Sequence, residues 1–215
     1  MTTALCIKKQ DLFKTEIDSS LQDIFVTDTK AFLDLECSLH QRSDCETDES
    51  LLQIIPYITL YDQKTAEIFV YRRGKASGES RLEGKCSIGL GGHMEITPSE
   101  DWNLLDCIAT EATRELEEEV SIVDVMLRET IRRKLIQGNF GIMYNTRTPV
   151  DRVHIAVAMF IGVDKNSLDE HEEGIITRGQ WMTFEDIKKA VETNMFELEH
   201  WSTLVLSTVS DALSK

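Results

Sequence analysis

The chain has only three prolines, no CxxC pair among its five cysteines, and 23 Lys and Arg against 38 Asp and Glu. Each shortage narrows what it can be. Duplex nucleic acid is held largely by cationic side chains that release counterions from the phosphates, so a formal charge of −15 disfavours that partner. A small anionic ligand on a local basic patch, or a divalent cation, is compatible with it. Cys6, Cys37, Cys45, Cys86 and Cys107 are an odd set without metal-ligand spacing, which predicts reduced thiols in an intracellular chain. The longest apolar run, VHIAVAMFIGV from Val153 to Val163, falls well short of the roughly 20 residues a spanning helix needs. The opening MTTALCIKKQDLF lacks a long apolar core behind a basic leader. A cytoplasmic protein with no membrane partner is expected. At 215 residues, 41% apolar and 28% charged, the chain can bury a sizeable core as one domain or a domain with an extension.

Residues 1–50 are polar and mixed. ALCIKK reads as a short strand, DTKAFLDLECSLHQ as a helix and RSDCETDES as a solvated acidic loop. They form an N-terminal extension packed on or continuous with a main domain over 51–215. LLQIIPYITLYD and AEIFVYRR form a strand pair across QKT, with Pro56 marking an edge or an irregular start. A Gly- and Ser-rich loop follows, then the Gly-studded strand end CSIGLGGHME. From Trp102 to Val120 apolar residues recur at spacings of three and four, which predicts a helix with one buried stripe. SIVDVMLRETIRRKLIQGNFGIMYN is mixed, DRVHIAVAMFIGVD is a long buried strand, and FEDIKKAVETN and FELEHWSTLVLSTVSDAL are C-terminal helices. Strands around one strong helix point to an α/β sandwich.

That helix carries the chemistry. In ATRELEEEVSI, Glu115 precedes Glu118 by three residues and Glu119 by four, and Glu111 precedes Glu115 by four, so all four share a face. At ~100° per residue, Glu119 falls inside the apolar stripe, with Glu115 and Glu118 at its edge. Glu117 points away, as a solvated residue. Anions crowded beside an apolar wall repel one another and are costly to desolvate. A hard divalent cation, which takes oxygen ligands, would relieve both costs.

With the upstream Gly-rich strand end, the segment resembles the box of the Nudix hydrolases, Gx5Ex7REUxEExGU with U a bulky aliphatic. Arg114, Glu115, Leu116, Glu118, Glu119 and Ile122 fill the second half, and Ser121 replaces the glycine. In the first half Gly92 is the opening glycine, with Glu95 three residues on. The position eight before Arg114 is Asp106 rather than Glu, and the interval from Gly92 to Arg114 is eight residues longer than the pattern, an insertion around TPSEDWNL. Asp106 lies off the acidic face and is not expected as a ligand. QIIPYITLYD, YRRGKASGESRLEGKCSIGLGGH and GQWMTFEDI extend the likeness over roughly residues 50–200, toward a little-characterised subgroup described as predicted phosphoesterases.

The resemblance implies an α/β/α sandwich with a mixed sheet and a central box helix. It implies a hydrolase that cleaves a diphosphate linkage in a nucleoside diphosphate derivative or related organic pyrophosphate, with Mg2+ or Mn2+. Glu115, Glu118 and Glu119 would be the metal ligands, the Gly92 carbonyl a further one, and Arg114 the residue that orients the carboxylates. DEHEEG offers Glu170, Glu172 and Glu173 as general bases, each equally readable as a solvated loop residue. Arg72, Arg73, Lys75, Arg81 and Lys85 form a basic stretch suited to a small phosphorylated substrate, or a hairpin kept soluble by charge. His93 touches a phosphate or fixes the turn. Trp181, Tyr71 and Phe140 are aromatic enough to stack on a base, though most such residues are core. Family members often dimerise, which leaves a homodimer open. An isopentenyl diphosphate isomerase would carry Cys at the position of Gly91, which disfavours that reading. The alternative is a non-catalytic module of the same fold that binds a nucleotide or a protein.

Overall fold

The two longest apolar runs become the two longest strands described, and each passes through both of the units into which the chain folds. The computed structural model describes residues 2–13, 23–26, 30–74, 84–97, 99, 103–120, 126–168 and 176–213. Unit 1 comprises Met1–Tyr57, Gly91–Arg114 and Val125–Met159, and unit 2 comprises Ile58–Leu90, Glu115–Asp124 and Phe160–Lys215. Strands β4 (Leu51–Asp62) and β8 (His154–Val163) and helix α3 (Leu104–Val120) cross from one to the other.

In unit 1 the strands run in the order β2 (Asp23–Val26), β7 (Gly141–Asn145), β8, β4, β1 (Thr3–Lys8), β3 (Cys37–Gln41). Antiparallel β1 lies between β3, with Leu5 opposite Leu39, and β4, with Cys6 opposite Gln53. The N-terminal residues are therefore part of this sheet. The segment expected as a helix over 28–41 instead holds a 3-10 turn at Lys30–Asp34 followed by β3. Pairing with the buried strand β1 outweighs the weak local preference of a polar segment. RSDCETDES is also more than a solvated loop, because it begins with the short helix α2 (Arg42–Cys45), whose Cys45 is fully buried. Another short helix, α1 (Lys9–Leu12), follows β1 and buries Leu12.

The expected stripe forms on α3. Leu104, Leu105, Ile108, Ala109, Ala112, Leu116 and Val120 are all buried. In unit 1 helix α4 (Leu127–Ile136) is tied to α3 by Arg132 Nε donating to Asp106 Oδ1 at 2.8 Å and Arg128 Nε donating to Thr110 Oγ1 at 2.9 Å. Asp106, the residue aligned with the box position but not expected as a ligand, is thus occupied by an arginine.

Pro56 lies in mid-strand, not at an irregular start. The β1–β4 ladder extends only to Gln53, and Leu5 N–H turns to the Met94 carbonyl at 2.8 Å. On that side Pro56 faces Gly91, so no strand partner there is deprived of the missing N–H. A Cβ on Gly91 would stand 1.8 Å from the Pro56 carbonyl oxygen, and Gly91 has φ +145°. Both facts restrict the position to glycine.

In unit 2, β5 (Ile68–Arg73) pairs antiparallel with β4, β6 (Cys86–Ser87) and β9 (Ile176–Met182). Helix α5 (Phe184–Glu192) begins where Thr183 accepts from the Asp186 N–H, a side-chain N-cap. Helix α6 spans His200–Leu213 and starts later than the sequence predicts. Glu197 O accepts from Cys86 N–H and Glu199 N–H donates to Cys86 O, a parallel bridge centred on Leu198. Residues 197–199 are thereby held extended, and the helix begins after them. Among the described residues no helix is long and apolar enough to cross a membrane.

The β4–β5 turn rests on Asp62, which is buried. Its carboxylate accepts from Lys165 N–H at 3.0 Å and from the Thr65 hydroxyl and N–H at 2.8 Å each. These donors, led by Lys165 N–H and the Thr65 hydroxyl, hold its pKa down to about 2 from 3.8. A depressed carboxylate stabilises the fold above its unfolded pKa, and the contribution is lost as pH falls through the folded one. Asp62→Asn is expected to melt at lower temperature than the parent chain at pH 7. The gap should narrow between about pH 4 and pH 2, as thermal melts across that range will show.

Candidate active site

The acidic face of α3 is sorted by burial into two kinds of carboxylate. Glu111, Glu115 and Glu119 are buried, while Glu117 and Glu118 are exposed. Their spacing puts the first three along the packed stripe itself, since i, i+4 and i+8 advance by only ~40° per step on a helix of ~100° per residue. Glu118 stands at the exposed margin of that line, and Glu117 turns to solvent.

Within unit 1, Glu111 is held by Arg114. Oε2 accepts from Arg114 Nε at 3.0 Å and from Nη2 at 2.8 Å, a charge-assisted pair that offsets the cost of burial. Nη2 of the same guanidinium also lies 3.3 Å from the His93 carbonyl oxygen. Arg114 therefore fixes the backbone just after Gly92 to the helix. Glu111 was not among the expected site residues, although its i, i+3 spacing to Arg114 was visible in the sequence.

The His93 ring is engaged elsewhere. Its Nε2 lies 3.0 Å from His154 Nε2, and His154 Nδ1 lies 2.8 Å from the Val150 carbonyl oxygen. A carbonyl only accepts, so Nδ1 of His154 carries the proton and its Nε2, in the neutral ring, accepts from His93 Nε2–H. His93 is left with a bare Nδ1, which repels rather than donates to a phosphate oxygen. The partner that engages this ring, His154, carries no sequence signal because it is remote in the chain. Burial above all, then the proximity of His154 and Arg42, lowers the His93 pKa to about 3.

Within unit 2, Tyr71 is fully buried and donates to the Gly89 carbonyl oxygen at 2.7 Å. Burial, followed by the negative charge of Glu119, drives its pKa upward, so the hydroxyl remains a donor. Tyr71 and, in unit 1, Phe140 are core residues, not base-stacking platforms. Trp181 packs on Phe69 with centroids 5.4 Å apart. Of the basic stretch, Arg72 Nη1 donates to the Gly84 carbonyl at 2.8 Å, Arg73 Nη1 lies 3.3 Å from Glu199 Oε2, and Lys85 Nζ lies 2.7 Å from Glu197 Oε1. Lys75, Arg81, Ser121, Ile122, Glu170, Glu172 and Glu173 lie outside the described residues.

The donors at Glu115, Glu118 and Glu119 are oxygen only, the chemistry of a hard divalent cation and not of a thiolate- or imidazole-bound one. Among the described residues no three His, Cys, Asp or Glu side chains gather closely enough to hold a metal ion as they stand. By type alone, carboxylate oxygens suit Mg2+ or Mn2+.

No protein-family model matches the chain. Protein YmaB of Bacillus subtilis (strain 168) is 28% identical over 207 residues, which cover 94% of each protein. Among solved structures, Tm1382, a candidate Nudix hydrolase, matches with TM-score 0.70 at 19% identity, over 98% of this chain and 99% of that one. The chain has the fold of the Nudix hydrolases, an α/β/α sandwich with a mixed sheet.

A histidine whose folded pKa is depressed lowers stability as pH falls from its unfolded value toward the folded one. For His93 that window runs from 6.5 down to about 3. NMR of the ring carbons should show no protonation of His93 between pH 8 and pH 5. The loss of melting temperature from pH 7 to pH 4.5 should be smaller in His93→Gln than in the parent chain.

Proposed function

We propose that this Nudix-fold chain is a divalent-metal-dependent hydrolase of phosphoric anhydrides, acting on a nucleoside diphosphate derivative or a related organic pyrophosphate. One observation carries the reading. Glu115 and Glu119, at the spacing of the REUxEE half-box, are buried along the packed stripe of α3. A solvated acidic face would have placed them outward, as Glu117 is.

Glu115, Glu118 and Glu119 are assigned as ligands of Mg2+ or Mn2+, with the Gly92 carbonyl as a further ligand. When bound, such a cation neutralises charge on phosphate oxygens and lowers the pKa of a coordinated water. The chain's own residues do the rest. Arg114, through Glu111 and the His93 carbonyl, holds the Gly-rich turn and the helix in register. The substrate's phosphates are assigned to the basic stretch of Arg72, Arg73, Arg81 and Lys85. Arg73 and Lys85 are each also paired with a glutamate. Proton removal from the attacking water is assigned to Glu172 or Glu173, ahead of a leaving group that departs as a phosphate or a nucleoside monophosphate. His93 is assigned to the turn.

The test is a panel of sugar nucleotides, dinucleoside polyphosphates and nucleoside triphosphates, incubated with metal-stripped protein before and after adding Mg2+ or Mn2+. Product analysis identifies the bond broken. Turnover should require the metal. Glu119→Gln should lose more than the ~10 to 100-fold typical of a residue that only supports a ligand, with circular dichroism and melting temperature preserved. Glu117→Gln should stay close to the parent rate. Binding of a nucleotide without any phosphate or monophosphate released would leave a binding module and remove the hydrolase.

A further inference from the structure

Two thiols meet on the face of the unit 1 sheet against which α2 packs. Cys6 Sγ on β1 donates to Cys45 Sγ on α2 at 3.4 Å, and Cys45 Sγ donates onward to the Gln41 carbonyl oxygen at 3.3 Å. With Ala4 they form a small buried cluster, joined at its margin by Leu51. Every other residue from Ser43 to Ser50 is exposed, so Cys45 is the one buried side chain of that segment. The turn leans on β1 through a sulfur on a sulfur, helped by Arg42 N–H donating to the Thr2 carbonyl at 3.1 Å.

A buried free cysteine ordinarily behaves as a small hydrophobe, and one would suffice to seat a turn. Two in contact can do more. Closing their sulfurs from 3.4 Å to the ~2 Å of a disulfide asks for a shift of roughly 1.4 Å, which falls to the short helix carrying Cys45. Cys6 is fixed, because β1 is paired on both sides, with Ser38 of β3 and Gln53 of β4 opposite it. Its thiol is also held protonated, since burial first, then the hydrogen bond to Cys45, pushes its pKa upward. Opening a turn with so few buried contacts costs far less than unfolding the sheet, and it bares Cys45 while Cys6 stays in place. Gln53 stands across the ladder on the same face as Cys6, and its buried side-chain amide has no hydrogen-bond partner among the described residues. An uncommitted N–H donor there suits a thiolate that forms on Cys6. Cys37, opposite Ile7, is on the other face of the sheet.

We infer that Cys6 and Cys45 are a reversible dithiol–disulfide pair, oxidised by exchange with a low-molecular-weight disulfide, that locks residues 42–50 onto β1. Cys45, as the thiolate, attacks one sulfur of the small disulfide, breaks its S–S bond and releases a first thiol, which takes the Cys45 proton. Cys6 then attacks the Cys45 sulfur of the mixed disulfide and expels a second thiol, which takes the Cys6 proton. Two cysteine thiols are oxidised and one small disulfide is reduced to two thiols. Nothing in this exchange depends on the hydrolase reading.

The test uses the full chain with Cys37→Ser, which removes the half-buried thiol, kept folded for a day in excess oxidised glutathione. Intact mass and non-reducing peptide mapping should show loss of two hydrogens and a peptide joined through Cys6 and Cys45, both reversed by dithiothreitol. Amide exchange at Glu46, Thr47 and Asp48, whose N–H groups close the turn, should slow by roughly 10-fold. The melting temperature should rise by about 5 °C, because the bridge joins residues 39 apart. Adding Cys6→Ala should stop the reaction at one glutathione on Cys45, and adding Cys45→Ala should leave Cys6 unmodified. Should either of these fail to fold by circular dichroism, the bridge in the Cys37→Ser chain still decides. A folded chain with no Cys6–Cys45 bridge, or with glutathione retained on Cys45 beside a reduced Cys6, would overturn the pair and leave two packing thiols. A bridge that leaves exchange at Glu46, Thr47 and Asp48 unchanged would overturn the lock.

Discussion

A carboxylate withdrawn from water has to be met by positive charge or by N–H and O–H donors, or it will take up a proton instead. This chain buries acids at several places and meets them differently. Asp62 is surrounded by backbone and hydroxyl donors of the β4–β5 turn. Glu111 is taken by one guanidinium through two nitrogens. Glu199 combines an arginine with two serines. Glu115 and Glu119 lie on the same helix stripe as Glu111 and are the ligands assigned to the proposed cation.

Around that constraint the backbone before and after the glycines is held from several directions. Within unit 2, Tyr71, Ser202 and Ile58 fix consecutive residues up to Leu90. Within unit 1, the Pro56 carbonyl leaves no room beside Gly91, Arg114 reaches the His93 carbonyl, and Met94 O takes the Leu5 N–H. A segment with so little side-chain mass gains its order from neighbours. The proline that looked like a strand-breaker is one of them, because its carbonyl faces the one residue type that can come so close.

How much was legible depends on whether an element's determinants are local. The α3 stripe, β4, β5, β8 and α5 were readable because their own periodicity decides which face is buried. The segment around residues 28–41 misled because its pattern is weak and its partner β1 lies far away in sequence. The late start of α6 was invisible for the same reason, being set by hydrogen bonds between Cys86 and residues 197 and 199. At the candidate site, the acidic face was plain from spacing. The engagement of Arg114 with Glu111 was half visible, and His154, Glu199 and Ser202 were not visible at all.

By itself the sequence determined the long helix, the side on which its carboxylates stand and the oxygen-only chemistry they offer, since these follow from a fixed angle per residue and from side-chain type. Only the tertiary structure decided which acid each cation neutralises, that His93 is spent on another histidine, and which distant residues steady the glycines. Those outcomes depend on through-space distances of a few ångströms between groups that spacing along the chain does not relate.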